Sequence, residues 1–182
     1  PVTSWAEVLG ASGAATLEIA YDADGDGACD LVLNKSYRFY GDYTLGDLFA
    51  AAKAAGDISD YAFKGGYIDS VTLADGTVIA TKPDFSEYWA SYKNGAYASS
   101  KTDCTESDAL ASGDAFQFGY EGYKTGPAAY DWSKAPTAEV GLTVVGQMGG
   151  ARLLIAYDSD GDGACDLVLN KSYRFYGDYT LG

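Results

Sequence analysis

The chain has 182 residues, 47% of them hydrophobic and 14% aromatic, so it has the composition of a folded protein and the length for one domain and part of another. It contains 26 acidic and 12 basic residues, and the formal charge of -14 opposes binding to nucleic acid or to an anionic membrane. Histidine is absent, which excludes histidine-based acid–base catalysis and histidine-ligated zinc.

The first predicted elements are two strands that flank an acidic loop. Ala15–Tyr21 and Leu31–Tyr40 alternate between apolar and polar side chains and are rich in β-branched and aromatic residues, which is typical of half-buried strands. The residues between them are mainly aspartate and glycine, which favour turns. We therefore predict a β-hairpin with the acidic loop at its tip.

A helix is predicted next. Thr44 and Asp47 have the spacing of a capping box, the residues up to Ala55 are mostly good helix formers, and Gly56 is a typical helix stop. The apolar face of this helix is expected to pack on the sheet. Its members are Leu45, Leu48, Phe49 and Ala52.

Five further strands are predicted after the helix, and a tight Asn94-Gly95 turn joins two of them into a hairpin. The five are Tyr67–Leu73, Thr77–Ala80, Tyr88–Lys93, Ala96–Ser99 and Ala115–Tyr120. One helix that crosses a mixed sheet is an α+β arrangement of the β-grasp kind. The predicted fold class is therefore α+β, with a β-grasp-like mixed sheet and one main helix.

A family resemblance covers Tyr43–Gly122. The segments TLGDLFAAAKAAG, GYIDSVTLADG, YWASYKNGAY and LASGDAFQFGYEG resemble the transcobalamin C-terminal-like family, and the most specific of them is the hairpin from Trp89 to Gly95. The resemblance implies a β-grasp domain of the type that occurs as tandem modules in bacterial surface proteins. Cobalamin binding is not carried over, because the helical partner domain is missing and no contact residue can be matched. Trp89 and Tyr92 are expected to be packing residues.

The chain contains a nearly perfect internal duplication. Tyr21–Gly46 and Tyr157–Gly182 differ only at Ala23 and Ser159, and the two copies lie 136 residues apart. Solenoid repeats are much shorter, about 20–50 residues, so this period indicates successive modules along a chain.

The duplication predicts three parts. Residues 1–122 form a β-grasp-like unit, residues 123–136 a linker rich in Gly and Pro, and residues 137–182 the first part of the next repeat. The alternative for the linker is a long surface loop. Within the third part, Ala151–Tyr176 is expected to form an additional β-hairpin, which either begins the next repeat or completes the sheet of a neighbouring subunit by strand exchange.

The acidic loop has the composition of a calcium site. Its aspartates alternate along a short loop, and calcium binds six to eight hard oxygen ligands. The pattern Asp-x-Asp-x-Asp-Gly-x-x-Asp is similar to the calcium loops of integrin-type β-propellers, whereas Leu33 stands where an EF-hand needs a bidentate Glu. The predicted ligands are four carboxylates and one backbone carbonyl in each copy. They are Asp22, Asp24, Asp26, Ala28 and Asp30, and Asp158, Asp160, Asp162, Ala164 and Asp166.

The loop has two other interpretations. A solvated Asp-Gly turn has a similar composition, and magnesium accepts oxygen ligands but tolerates a crowded all-protein cage poorly. Four aspartates at this spacing, found twice, favour calcium. Its role is expected to be structural, because no nucleophile or base accompanies it.

The three cysteines are disulfide candidates. Cys29 and Cys165 occupy equivalent loop positions, and Cys104 lies elsewhere in the unit. Cys29 can pair with Cys104 within the unit, or Cys104 with Cys165 between units, and one thiol remains in either case. The alternative is three reduced thiols.

Together these features predict a non-catalytic, calcium-stabilised repeat module of an extracellular, secreted or surface-attached bacterial fibre protein or adhesin. Neighbouring copies of the repeat and a host or glycan ligand are its expected partners, without nucleic acid or membrane insertion. The alternative is a small-ligand or glycan-binding domain that uses exposed aromatic residues. Its candidates are Tyr88, Tyr97, Tyr120 and Tyr123.

Overall fold

A computed structural model describes residues 12–40, 42–98, 104–122, 126–145, 149–158, 161 and 166–175. These residues form one α-helix, α1 (Leu45–Ala55), one 3-10 turn (Trp132–Lys134) and a set of strands. In chain order the strands are β1 Ser12–Tyr21, β2 Asp30–Tyr40, β3 Ile58–Lys64, β4 Tyr67–Leu73, β5 Val78–Ala80, β6 Glu87–Lys93, β7 Ala96–Tyr97, β8 Ala115–Gly122, β9 Glu139–Val144, β10 Gly149–Tyr157 and β11 Asp166–Phe175. The fold is therefore α+β, as predicted.

The main sheet has six strands in the order β7-β6-β8-β1-β2-β9. β1 pairs antiparallel with β2 and parallel with β8, so the sheet is mixed. The predicted turn between β6 and β7 is present, with positive φ angles of 52° at Asn94 and 81° at Gly95. Positive φ at both central residues matches the twist of the flanking strands, which is why this dipeptide suits a tight hairpin.

The helix begins and ends where the sequence predicts. The Thr44 side chain accepts a hydrogen bond from the Asp47 backbone N–H, the Asp47 carboxylate accepts one from the Thr44 backbone N–H, and Gly56 ends the helix at a φ of 78°. The predicted apolar face is buried against the sheet, with Leu45, Leu48 and Phe49 fully inaccessible to solvent. This packing of α1 supplies much of the core.

A smaller antiparallel sheet, in the order β3-β4-β5, packs beside the helix. Strands β4 and β5 match the predicted segments, whereas β3 had not been predicted. Tyr61 and Phe63 of β3 place their rings 5.3 Å from the ring of Phe49, measured between centroids. The aromatic cluster joins this sheet to the core of the main sheet.

The chain after β8 also packs on the main sheet. The amide Nδ2 of Asn34 donates to the Pro136 carbonyl at 2.7 Å, β9 lies parallel to β2, and Val145 is fully buried. The predicted boundary between residues 136 and 137 thus falls within a stretch that contacts the first sheet. In sequence β9 belongs to the second repeat, and in three dimensions it extends the sheet of the first.

The second hairpin, β10 and β11, pairs in the same register as β1 and β2 and has its bulge at the equivalent step, between Ile155 and Ala156. Its strands pair with each other and form a separate two-stranded sheet. The predicted additional hairpin is therefore present. Within the described part of the chain, no helix has the length and hydropathy needed to cross a membrane.

Candidate metal centre

The acidic loop connects β1 to β2 at one end of the main sheet. Tyr21 and Asp30 form the last strand pair, and the residues between them turn through Gly25 and Gly27, with φ angles of 81° and 87°. Residues with a Cβ rarely adopt such angles. The two glycines therefore let the chain fold back on itself within a few residues.

Backbone amides hold the aspartates in place. Asp22 accepts hydrogen bonds from the backbone N–H groups of Gly25 at 2.7 Å and Gly27 at 3.0 Å. Asp24 accepts from Asp26 N–H at 3.1 Å, and Asp26 accepts from Ala28 N–H at 2.8 Å. An ionised carboxylate has about four lone-pair positions, so each of the three retains acceptor capacity for a further partner.

Three of the predicted ligands come together. Carboxylate oxygens of Asp22, Asp24 and Asp26 lie within 4.8 Å of one another, and the latter two residues are exposed. Asp30 is not in this group, and its Oδ2 instead accepts a hydrogen bond from the Ala23 backbone N–H at 3.3 Å. None of the ion pairs between described residues includes these acids. Among the described residues no ion pair neutralises the clustered negative charge, and Lys82, which lines the same cleft as Asp22 and Asp26, pairs with Glu87.

The second loop repeats the first as far as it is described. The Gly161 backbone N–H donates to Asp158 Oδ1 at 2.7 Å, as Gly25 does to Asp22, and Gly161 has a φ of 79°. Asp166 lies at the start of β11. The remaining predicted ligands of this copy lie outside the described residues; they are Asp160, Asp162 and Ala164.

The tip of the first loop contacts the segment that follows β8. The Ala128 backbone N–H donates to the Gly27 carbonyl at 2.9 Å, and Ala28 and Ala128 form an isolated parallel bridge. No sequence pattern pointed to this contact, because a carbonyl and an amide about 100 residues apart have no side-chain signature. It ties the candidate metal loop to the predicted linker.

The cysteines do not form the predicted bridge between Cys29 and Cys104, because Cys29 is a free thiol. Its Sγ donates to the Tyr120 carbonyl at 3.2 Å, whereas Cys104 is buried and donates to the Tyr92 carbonyl at 3.4 Å. Burial, with Glu121, Asp22 and Asp30 nearby, raises the pKa of Cys29 to about 12. A thiol that stays protonated is a poor nucleophile and a poor metal ligand. Cys165 lies outside the described residues.

The aromatic residues proposed for a ligand site are dispersed. Tyr97 is 54% exposed on β7, whereas Tyr120 is buried, with its hydroxyl donating to the Ala80 carbonyl at 2.7 Å. Tyr88 is half-buried on β6, and Tyr123 lies outside the described residues. Tyr97 and Tyr120 therefore do not form one exposed aromatic surface beside the acidic loop.

Comparisons with protein-family models, with curated proteins and with solved structures found no match.

Proposed function

We propose that this chain is a non-catalytic, calcium-stabilised module of a tandem-repeat protein on the outside of a bacterial cell, in a surface fibre or adhesin. The observation that carries the proposal is the convergence of Asp22, Asp24 and Asp26 within 4.8 Å at a hairpin tip. The same loop sequence recurs 136 residues later.

The donor set fits calcium. Calcium–oxygen distances are about 2.3–2.6 Å, so two oxygens that share one ion lie at most about 5 Å apart. The 4.8 Å limit among the three carboxylates satisfies this condition. Asp30 and the Ala28 carbonyl are proposed as additional ligands, and water can complete the coordination of an exposed ion.

We also propose that the first unit is a β-grasp domain similar to the transcobalamin C-terminal-like family. The strand order β2-β1-β8-β6, with a parallel central pair and α1 following the first hairpin, supports a β-grasp domain. The hairpin from Trp89 to Gly95 that carries the resemblance to transcobalamin C-terminal-like domains forms β6, its turn and the approach to β7. Trp89 is buried and donates to the Ile79 carbonyl at 3.3 Å, in keeping with a packing role.

We propose that calcium in this loop also acts at the connection between repeats. The Gly27 carbonyl holds Ala128, which lies where the chain leaves the first unit on its way to β9. An ion that orders the loop therefore orders the start of this connection. We infer that calcium removal loosens the junction between successive modules as well as the loop itself.

The proposed partners are neighbouring copies of the repeat. In the second hairpin Ile155 is 44% exposed, whereas its equivalent in the first, Ile19, is fully buried. Tyr157 lies on the same face of β10 and is 56% exposed, and two large exposed apolar side chains side by side favour packing against another unit. Size-exclusion chromatography of the chain with and without residues 146–182 tests this. The cut must follow Val145, because a cut at residue 137 also removes β9. Self-association that is lost with the hairpin would support packing between repeats. A monomer both with and without the hairpin would exclude it.

A thermal melt tests the calcium proposal. At a calcium concentration one hundred times Kd, the native state gains about 2.7 kcal/mol, and for a chain of this size that corresponds to a rise in Tm of about 5–10 °C. The melt is followed by circular dichroism in calcium and in chelator. Asp24→Asn combined with Asp160→Asn is expected to abolish the rise.

The matched control is Asp75→Asn. Asp75 is an exposed aspartate in another Asp-Gly turn, and its carboxylate accepts a hydrogen bond from Thr77 N–H at 2.8 Å. This variant removes one charge from a turn of the same type without touching the cluster, so it should keep the full response to calcium. An unchanged Tm for the parent chain in calcium and in chelator would falsify the metal proposal.

A further inference from the structure

A cleft lies away from the acidic loop, between the β6–β7 turn and the segment that carries the 3-10 turn. Its volume is about 530 Å³, within the range of about 300–1,000 Å³ typical of ligand sites. Six of the described residues that line it have an aromatic ring, a side-chain amide or a carboxylate. They are Tyr92, Asn94, Gln117, Tyr130, Asp131 and Trp132.

Aromatic rings form one side of this cleft. The ring of Trp132 lies 4.8 Å from that of Tyr130 and 5.8 Å from that of Tyr92, measured between centroids. Tyr92 in turn contacts Tyr97 at 5.3 Å. Trp132 is 8% exposed, although it lies in a segment predicted as a linker. A buried tryptophan fixes that segment against the sheet and keeps the half-exposed ring of Tyr130 beside the cleft.

The floor and rim of the cleft are polar. Gln117 is 5% exposed and is held at both ends, since its Oε1 accepts from Gly95 N–H at 2.7 Å and its Nε2 donates to Glu18. Asn94 donates to Asp114 and accepts from Ala115 N–H, so its side chain is also fixed. Each amide retains one N–H. These donors are held in place before any ligand arrives.

Two further groups at the cleft have hydrogen-bonding capacity. The indole N–H of Trp132 is buried without a hydrogen-bond partner among the described residues. Burial, with Glu18 and Asp131 nearby, raises the pKa of Tyr130, so its hydroxyl stays protonated and can donate. The indole N–H has no surface in contact with solvent, so a ligand oxygen reaches it only with a small shift of the Trp132 segment.

The charges around the cleft disfavour both an anionic and a cationic ligand. No lysine or arginine is among its described lining residues. The Asp131 carboxylate already accepts from Ser133 and pairs with Lys134 at 3.0 Å. The lining also lacks aliphatic side chains larger than alanine, which a lipid-like ligand requires. A neutral, polar ligand with an apolar face remains.

We propose that this cleft binds a neutral saccharide. A sugar ring presents C–H groups that pack on an aromatic ring and hydroxyls that both donate and accept hydrogen bonds, which matches Tyr130 beside Asn94, Gln117 and Asp131. A proline-rich peptide also packs on aromatic rings. Proline has no N–H, so such a peptide cannot donate a hydrogen bond to the Asp131 carboxylate as a sugar hydroxyl can, and the sugar is favoured.

The test is a titration with neutral hexasaccharides of glucose, mannose, galactose or N-acetylglucosamine, followed by tryptophan fluorescence and calorimetry. At least one is expected to bind saturably. Tyr130→Ala should weaken binding at least tenfold, and Tyr130→Phe, which keeps the ring, only two- to fivefold. The matched control is Phe85→Ala, because Phe85 is an aromatic residue 67% exposed elsewhere on the surface. It should bind like the parent chain.

Three outcomes overturn the proposal. They are the absence of saturable binding to any of the four sugars at millimolar concentration, equal binding by Tyr130→Ala and the parent chain, and Tyr130-dependent binding of decaproline in their place. A melt of each variant in the absence of sugar shows that it is folded. The titration is run in calcium and in chelator. None of the described residues that line the cleft belongs to the acidic loop. Sugar binding can therefore be tested even if the loop does not bind calcium.

Discussion

The first and second hairpins have nearly the same sequence but different surroundings. β1–β2 and β10–β11 share register and bulge, and the hydrogen bond from Gly25 to Asp22 recurs from Gly161 to Asp158 at the same 2.7 Å. Burial differs, since Ile19 is inaccessible and Ile155 is 44% exposed. Local sequence therefore determines the hairpin and its loop, whereas burial depends on the strands and helix that the rest of a module supplies.

The largest expected difference between the two copies concerns this isoleucine pair. Ile19→Ala leaves a cavity in the core and is expected to lower the free energy of unfolding by about 2–5 kcal/mol. Ile155→Ala is expected to change the main transition by less than about 0.5 kcal/mol, as exposed substitutions usually do. Urea unfolding followed by circular dichroism measures both. Equal losses would show that the second hairpin is packed in solution as firmly as the first.

The equivalent glycines Gly13 and Gly149 should give a smaller difference in the free energy of unfolding. A Cβ added to Gly13 would lie 2.4 Å from the ring of Phe39, which is its partner in register. Gly13→Ala must displace that buried ring, with an expected loss of about 1–3 kcal/mol. Gly149→Ala should leave the main transition in place, because β10–β11 forms its own sheet. Urea unfolding measures both variants. A Gly13→Ala variant as stable as the parent chain would contradict the close packing of Phe39 on Gly13.

The smallest expected effect is at Glu18, whose equivalent in the second copy is Leu154. Burial raises the pKa of Glu18, and the hydrogen bond from Gln117 offsets this only in part. The folded state therefore binds the proton more tightly than the unfolded state, and this contribution to stability is lost as the pH rises from below 4.5 through the folded pKa.

Glu18→Gln removes that titration. It is expected to raise the free energy of unfolding at pH 7 by less than about 1 kcal/mol and to have a smaller effect at pH 4. Urea titrations at the two pH values provide the comparison. A gain that is the same at both pH values, or a loss at pH 7, would contradict the assignment of a buried, destabilising carboxylate.

The features predicted correctly from sequence are those with local causes. The capping box of Thr44 and Asp47, the Gly56 stop and the Asn94-Gly95 turn each involve residues a few positions apart, and all are present. The clustering of Asp22, Asp24 and Asp26 is equally local, because alternate residues of a tight loop turned by glycines point inward.

The features that were not predicted depend on distant partners. β9 exists because the edge of β2 accepts it, and it lies about 100 residues further along the chain. β3 has little alternation, and its buried side is formed by Ile58 and by the rings of Tyr61 and Phe63, which contact Phe49. The predicted Cys29–Cys104 bridge was wrong, because Cys29 lies against the Tyr120 carbonyl and Cys104 against the Tyr92 carbonyl. Equivalent positions in two repeats do not indicate which backbone each thiol contacts.

The most direct measurement is a calorimetric titration of calcium into the chain and into Asp24→Asn, Asp160→Asn and the double variant. Because the hairpin and its loop are specified locally, we expect two calcium ions per chain, one in each single variant and none in the double variant. The Asp75→Asn control should bind two. Absence of binding to the parent chain, or a stoichiometry that the substitutions leave unchanged, would contradict the assignment of the acidic loop as a repeated calcium site.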